Sequence, residues 1–219
     1  MFNVRVISYS KPAIGVDLKD DLLQLVAYCA RVSNPNNQNN EETAEKLINY
    51  LIKHQHWSPL EMASVCMEID TTRDIGRQIL RHRSFSFQEF SQRYADPTQD
   101  LNFVTREARM QDTKNRQNSL EIPLEDSINH IWESYQEVII ERCKRAYEWA
   151  VNAGIAKEQA RAILPEGLTM SRMYVNGTLR SWIHYIQLRS ANGTQKEHME
   201  IAKACAKVIY QIFPLDDVI

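Results

Sequence analysis

Apolar and polar positions along this chain alternate with two different periods, and each stretch of constant period predicts one element. Near the start, Phe2, Val4 and Val6 alternate with polar neighbours, the period of a strand with one buried face. Leu18, Leu22, Leu25, Val26 and Cys29 then follow helical spacing, with Asp17 in the capping position. A loop over Ser33 to Asn40 leads to a second helix, whose apolar face carries Ala44, Leu47, Ile48 and Leu51. Ser58-Pro59 has the form of an N-cap and first-turn pair. Val65, Met67 and Ile69 alternate as another strand, and Thr72 to Arg83 reads as a helix with Ile75, Ile79 and Leu80 inward.

The second half is more helical. Val104 to Ser119 is polar and almost free of large apolar residues, which predicts a mobile surface loop. A long helix runs from Pro123 to Ala153, closed by Gly154, with Ile128, Trp132, Tyr135, Ile139, Ala146 and Ala150 as its apolar stripe. Lys157 to Leu164 is a further helical stretch, stopped by Pro165. Met173 and Val175 sit in a short β-like segment before Asn176-Gly177, and helices follow over Thr178 to Arg189 and Thr194 to Phe213. No repeat or low-complexity linker divides the chain. The pattern predicts an α+β, helix-rich single domain over residues 1–219 with a central, mostly antiparallel sheet.

Composition changes this picture little. A net charge of −2 predicts no general preference for nucleic acid or membrane, so an anion site must come from local clustering. Cys29, Cys66, Cys143 and Cys205 are dispersed and form no CxxC, which suggests buried free thiols rather than a disulfide frame or a zinc site. The first residues lack the form of a signal peptide, and no apolar run approaches the roughly 20 residues of a membrane span. A cytoplasmic protein is expected.

Charge does cluster in one place. Arg73 to Arg93, RDIGRQILRHRSFSFQEFSQR, holds five arginines, no lysine and a local charge of +3. Arg73, Arg77 and Arg81 are spaced to share a helix face, and Arg73 reads as a solvated surface residue. Arg81, His82 and Arg83 fall in the predicted last helical turn, where the helix dipole favours cations. Arginine suits bidentate contact with a phosphate, carboxylate or base edge. Beyond it, an extended chain sets Phe85, Phe87, Glu89, Ser91 and Arg93 on one face. That face suits a nucleoside monophosphate, and equally a strand core. A single-stranded RNA-binding module using Arg81, Arg83, Phe85 and Phe87 is the alternative, although it would want a broader basic surface.

Arg81-His82-Arg83, seven residues, then Ser91 resembles the motif of the flavin-dependent thymidylate synthases, with Gln78, Ser86, Glu89, Arg93 and Tyr94 in matching positions. Ala30-Arg31-Val32-Ser33, the turn His56-Trp57-Ser58-Pro59 with Glu61, Ala160-Arg161 through Leu164-Pro165, and Arg180-Ser181-Trp182 through Leu188-Arg189 resemble further segments of that family. Gln88 stands where an asparagine is expected. One extra residue follows Pro165, and the segment after Arg189 is about three residues longer than the commonest form, which shifts the register of His198.

The resemblance implies a homotetramer with shared active sites and FAD bound without a Rossmann domain. The six glycines include no GxGxxG, in keeping with this. It implies reductive methylation of dUMP to dTMP, with methylenetetrahydrofolate supplying the carbon and NADPH the reducing equivalents. Gln78, Arg81, Glu89, Ser91, Gln92, Arg93, Arg161 and Arg189 would contact dUMP. Arg93 and Arg161 would take its phosphate, and Arg189 the uracil ring as the catalytic guanidinium. Ser33, Ser58, Arg81, His82, Arg83, Glu89, Thr178, Arg180 and His184 would hold FAD, with His56 near the flavin or folate. No cysteine need act as nucleophile, and no metal or nucleic acid is expected.

Overall fold

In the computed structural model, which describes residues 2–19 and 21–215, the alternating segments become neighbours in a single antiparallel sheet. Strand β1 (Asn3–Tyr9) is followed by helices α1 (Leu22–Ala30) and α2 (Ala44–Lys53), then by β2 (Ser64–Thr72) and α3 (Arg73–Ile79). Strand β3 (Ser86–Glu89), the short helix α4 (Pro97–Asp100), and strands β4 (Arg109–Gln111) and β5 (Ser119–Glu121) come next. The long helix α5 (Ser127–Asn152) precedes α6 (Lys157–Ala160), β6 (Met170–Thr178), α7 (Leu179–Arg189) and α8 (Lys196–Tyr210). The main sheet has the order β1-β2-β6-β3, while β4 and β5 form a separate two-stranded ribbon.

Register follows from the period of two. Val65, Met67 and Ile69 lie opposite Gly177, Val175 and Met173, so both central strands turn the same apolar set towards the helices. With Leu22, Ile48, Ile75, Trp182 and Ile209 these form the main core. The other sheet face is polar: Arg5 clamps Glu68 and Arg172 clamps Asp70, each through two hydrogen bonds. A sheet covered on one side only is the common antiparallel arrangement. Trp182 ties α7 to the sheet by donating its indole N–H to the Val65 carbonyl at 3.0 Å. A β-carbon on Gly177 would lie 2.2 Å from the Phe85 ring, so that position requires glycine for the ring to seat.

Several predicted boundaries move, each for a local reason. Helix α1 starts at Leu22, because Asp21 rather than Asp17 accepts the first free N–H groups, from Leu23 and Gln24. The long helix begins at Ser127 with Asp126 as cap, while Pro123 lies outside it. The expected mobile loop between Val104 and Ser119 instead includes β4, paired with β5. The short β-like segment around Met173 proves to be the nine-residue strand β6, in the middle of the sheet. The helix after Lys157 changes to a tighter 3₁₀ turn over Arg161–Ile163. The last helix is shorter at both ends than Thr194 to Phe213.

The largest difference concerns α5. Its predicted apolar stripe does not enter the core: Ile128, Trp132, Tyr135 and Ile139 are all exposed, and so is Ala146. Its buried apolar side chains lie at the far end, where Tyr147 and Ala150 meet Ala160 and Leu164 in a separate small cluster.

Candidate active site

Strand β2 runs directly into α3, with Thr72 still extended at the junction. The next residue, Arg73, is buried, contrary to the expected solvated role. Its guanidinium lies 3.4 Å from both Glu89 and Glu166, and Ser171 donates to Glu89 at 3.0 Å. Arg73 therefore holds the Glu89 carboxylate, which the chain pattern alone did not reveal.

Helix α3 ends at Ile79, earlier than predicted, so Arg81, His82 and Arg83 lie in the turns beyond it. The three arginines do not share one exposed face either, since Arg73 is buried while Arg77 and Arg81 are exposed. Arg77, Gln78 and Arg81 instead line one side of a cavity of about 600 Å³, and Arg189, at the end of α7, lines another. Gln117 from the β4–β5 ribbon and Thr194 and Gln195 before α8 complete it.

Arg189 donates from Nε to Nε2 of His82 at 2.9 Å. A guanidinium offers donors only, so this ring nitrogen carries no proton. Burial, with Arg189 and Arg81 close by, pushes the His82 pKa down to about 4 and keeps the ring neutral. Among the described residues no carboxylate pairs with Arg81, Arg83 or Arg189. The cavity thus keeps guanidinium charge available for a ligand, beside a neutral imidazole. This cluster of guanidinium charge arises without any excess of positive charge over the whole chain.

The remaining nucleotide candidates group elsewhere on the same chain. Strand β3 stops at Glu89 and the chain turns at Ser91, whose carbonyl accepts from Tyr94 and Ala95 at 3.1 Å. The expected common face of Glu89, Ser91 and Arg93 is broken there: Gln92 turns inward and Arg93 outward. Gln92 is buried, and its Nε2 has no partner among the described residues, as suits a group held for a ligand. Arg93 pairs with Glu158 at 3.1 Å, one turn before Arg161. Neither Arg93 nor Arg161 lines the Arg189 cavity.

A third group gathers at the start of α7. Thr178 caps the helix by accepting from the Ser181 N–H at 3.2 Å. Arg180 pairs with Glu61 at 2.6 Å, which joins α7 to the 3₁₀ turn that begins at Ser58. The His184 ring meets Trp57 edge-on at 4.4 Å, and burial and Arg180 both lower its pKa. Ser33 is separate from this group, lining a cavity of about 460 Å³ between α1 and α2 with Lys46 and Tyr50. His56 is exposed, its ring 6.2 Å from Tyr50.

The RNA-binding alternative loses its stacking platform here. Phe85 is buried against Trp182 at 4.6 Å, and Phe87 is packed against the main core. The thiols are less uniformly buried than expected: Cys205 is buried and the other three are half-buried, with burial raising the pKa of each. Among the described residues no group of His, Cys, Asp or Glu has a metal-binding arrangement, and no helix is long and apolar enough to cross a membrane. Gln117, Gln195 and Tyr185 were missed as parts of this region, and His198 was noted without a role. The polar run Gln195-Lys196-Glu197-His198 was the available signal, but its shifted register obscured it.

The structure is a helix-backed antiparallel sheet with an arginine-lined cavity of about 600 Å³, and known proteins share this arrangement. Residues 16–215 match the Thy1 family, described as thymidylate synthase complementing protein. The chain is 47% identical over 213 residues to a probable flavin-dependent thymidylate synthase of Paramecium bursaria Chlorella virus 1, covering 97% of this chain and 95% of that one. It is 48% identical, covering 97% and 96%, to the flavin-dependent thymidylate synthase of Synechocystis sp. (strain ATCC 27184 / PCC 6803 / Kazusa). The chain belongs to the flavin-dependent thymidylate synthase family. Its fold is also that of the UMP/dUMP methylase PolB from Streptomyces cacaoi, with a TM-score of 0.79 at 23% identity, covering 98% of this chain and 92% of that one.

Proposed function

We propose that this chain is a flavin-dependent thymidylate synthase. It converts dUMP, methylenetetrahydrofolate and NADPH to dTMP, tetrahydrofolate and NADP, and works in the cytoplasm as a homotetramer with shared active sites. The observation that carries the reading is Arg189, aimed at the cavity with a neutral His82, not a carboxylate, as its partner.

In this reading Gln78, Arg81, Glu89, Ser91, Gln92, Arg93, Arg161 and Arg189 contact dUMP, with Arg93 and Arg161 at its phosphate. Arg189 faces the uracil ring and stabilises its N3-deprotonated, enolate-like form, which makes the ring carbon nucleophilic. A fixed guanidinium beside developing negative charge is electrostatic catalysis, and here its orientation is set in advance by His82. Arg73 fixes Glu89 from behind.

Ser33, Ser58, Arg81, His82, Arg83, Glu89, Thr178, Arg180 and His184 hold FAD, and His56 lies near the flavin or folate. The residues present fit an anionic dinucleotide, because Arg81 and Arg83 lie exposed on one turn with no carboxylate partner among the described residues. When bound, FAD supplies the hydride that completes the methyl group. Sharing of sites between copies accounts for candidate residues that fall in separate groups on one chain, and the exposed apolar side of α5 offers a surface for assembly. Purified protein should absorb as a flavoprotein and form dTMP with dUMP-dependent NADPH oxidation. A colourless protein that carries nucleic acid, or flavoprotein forming no dTMP, would overturn the assignment.

A further inference from the structure

One continuous chain of hydrogen bonds leads from the first turn of α8 to the cavity, and its polarity is fixed at the Glu197 end. Glu197 accepts from Arg109 at 2.6 Å on one oxygen and from Gln195 Nε2 at 3.0 Å on the other. Burial raises the Glu197 carboxyl, but a backbone N–H and Arg109 outweigh it and hold the group below its ordinary range, ionised and able only to accept.

The rest follows from that one constraint. Gln195 must turn its amide nitrogen to Glu197, which leaves its oxygen for Gln78, and Gln78 Nε2 donates to it at 2.8 Å. The Gln78 oxygen then faces Nδ1 of the fully buried His198 at 3.1 Å, so Nδ1 must carry the proton. Nε2 of His198 is left bare and accepts from the Tyr185 hydroxyl at 3.2 Å. Amide flips and histidine tautomers are decided by such networks, and here every step agrees.

We propose that Glu197, acting through Gln195, sets the amide of Gln78 and the tautomer of His198, so that Gln78 presents N–H and never its oxygen to the nucleotide. Gln78 has a second N–H left over after Gln195 is served, and the residue lines the cavity. The site therefore selects an acceptor oxygen on its ligand at that point. Glu197 is a positioning residue, since it acts through the amide of Gln78, and the tautomer of His198 reports the result. The ligand half of this inference rests on the assignment of Gln78 to dUMP, whereas the polarity of the chain does not.

Replacing one atom should reverse the whole chain. In Glu197→Gln, Arg109 would still demand the oxygen, so the new amide nitrogen would face Gln195. Gln195 and Gln78 would then both flip, and the His198 proton would move from Nδ1 to Nε2, which would donate to Tyr185. In flavin-loaded protein with ¹⁵N-labelled histidine, the parent should show His198 protonated on Nδ1 and Glu197→Gln should show it on Nε2. The dUMP dissociation constant should rise about tenfold as a donor becomes an acceptor, with flavin content kept.

A second variant keeps the inference testable if Glu197→Gln does not fold. Gln195→Met cuts the relay between Glu197 and Gln78 while leaving both in place. The amide of Gln78 would no longer be set, so His198 should lose its single Nδ1 tautomer and dUMP should bind about tenfold more weakly. Proton on Nε2 in the parent, an unchanged tautomer in Glu197→Gln, or an unchanged tautomer in Gln195→Met would each overturn the proposal. If the parent fails to bind dUMP, the nucleotide assignment falls with the ligand half, and the tautomer measurement still judges the chain.

Discussion

In α7 the apolar side chains Leu179, Trp182, Ile183 and Ile186 are buried and the helix presents His184 and Gln187 outward. In the first half of α5, a helix more than twice as long, the residues turned inward are Asn129 and Gln136, while Ile128, Ile131, Trp132, Tyr135 and Val138 are exposed. The two polar residues have a clear task. Asn129 accepts from the Ala108 N–H, and Gln136 both accepts from and donates to the Arg106 backbone, all at 2.8 Å. This clamps the segment that enters the β4–β5 ribbon and so supports Gln117 at the cavity. In the proposed homotetramer, this exposed apolar half of α5 would be covered by another copy. Helix α7 completes a core, and α5 completes an assembly in the reading proposed above.

The largest effect is expected in the chemistry carried by α7. Arg189→Ala should lower dTMP formation at saturating dUMP by about a hundredfold or more, since in the proposed reading it removes the charge that faces the reacting ring. Lysine should restore only part, because a point charge lacks the planar fork. Flavin absorbance should remain. Near-parental turnover would put the catalytic guanidinium elsewhere.

Two tryptophans give the sharpest contrast in stability. Trp182→Ala opens the main core and should cost about 3–5 kcal/mol, read by denaturant unfolding. Trp132→Ala touches no core in the chain itself, so its effect should fall on assembly, as a shift to smaller species in light scattering with a loss of shared-site activity. If Trp132→Ala left both mass and activity unchanged, α5 would not be a covered helix.

Acid should act on the α7 side. An unfolded histidine takes up its proton near 6.5, whereas His82 resists until about 4 and His198 until about 3, chiefly through burial. Between 6.5 and those values the unfolded chain binds more protons, so this contribution to stability is complete above 6.5 and is lost as the pH falls. The melting temperature should drop through that window, and His198→Asn should flatten the slope. An identical slope in parent and variant would remove His198 from the account.

The smallest effects belong to the thiols. Cys143 on α5 is half-buried and Cys205 on α8 is buried, and no thiol is activated. Replacing all four should leave turnover intact. Cys205→Ser should cost on the order of 1 kcal/mol and Cys143→Ala less than that, as thermal melts would show. Loss of turnover in any folded, flavin-bound single variant would contradict the hydride mechanism.

What the sequence determined by itself was local. The period of two in Val65, Met67 and Ile69 specified a strand face, helical spacing specified α2 and α7, and the run around Arg81-His82-Arg83 carried the family resemblance. These depend on neighbours within a few positions, which periodicity and motif spacing record directly. Which face of α5 is exposed emerged from packing alone, because an apolar stripe reads the same whether its cover comes from the same chain or from another. Packing also decided that Arg73 is buried, since Glu89 and Glu166 reach it from distant parts of the chain. The polarity of Gln78 required the same step. An amide has no preferred orientation in a sequence, and here it acquires one from the Glu197 carboxylate through Gln195, across more than a hundred residues of chain.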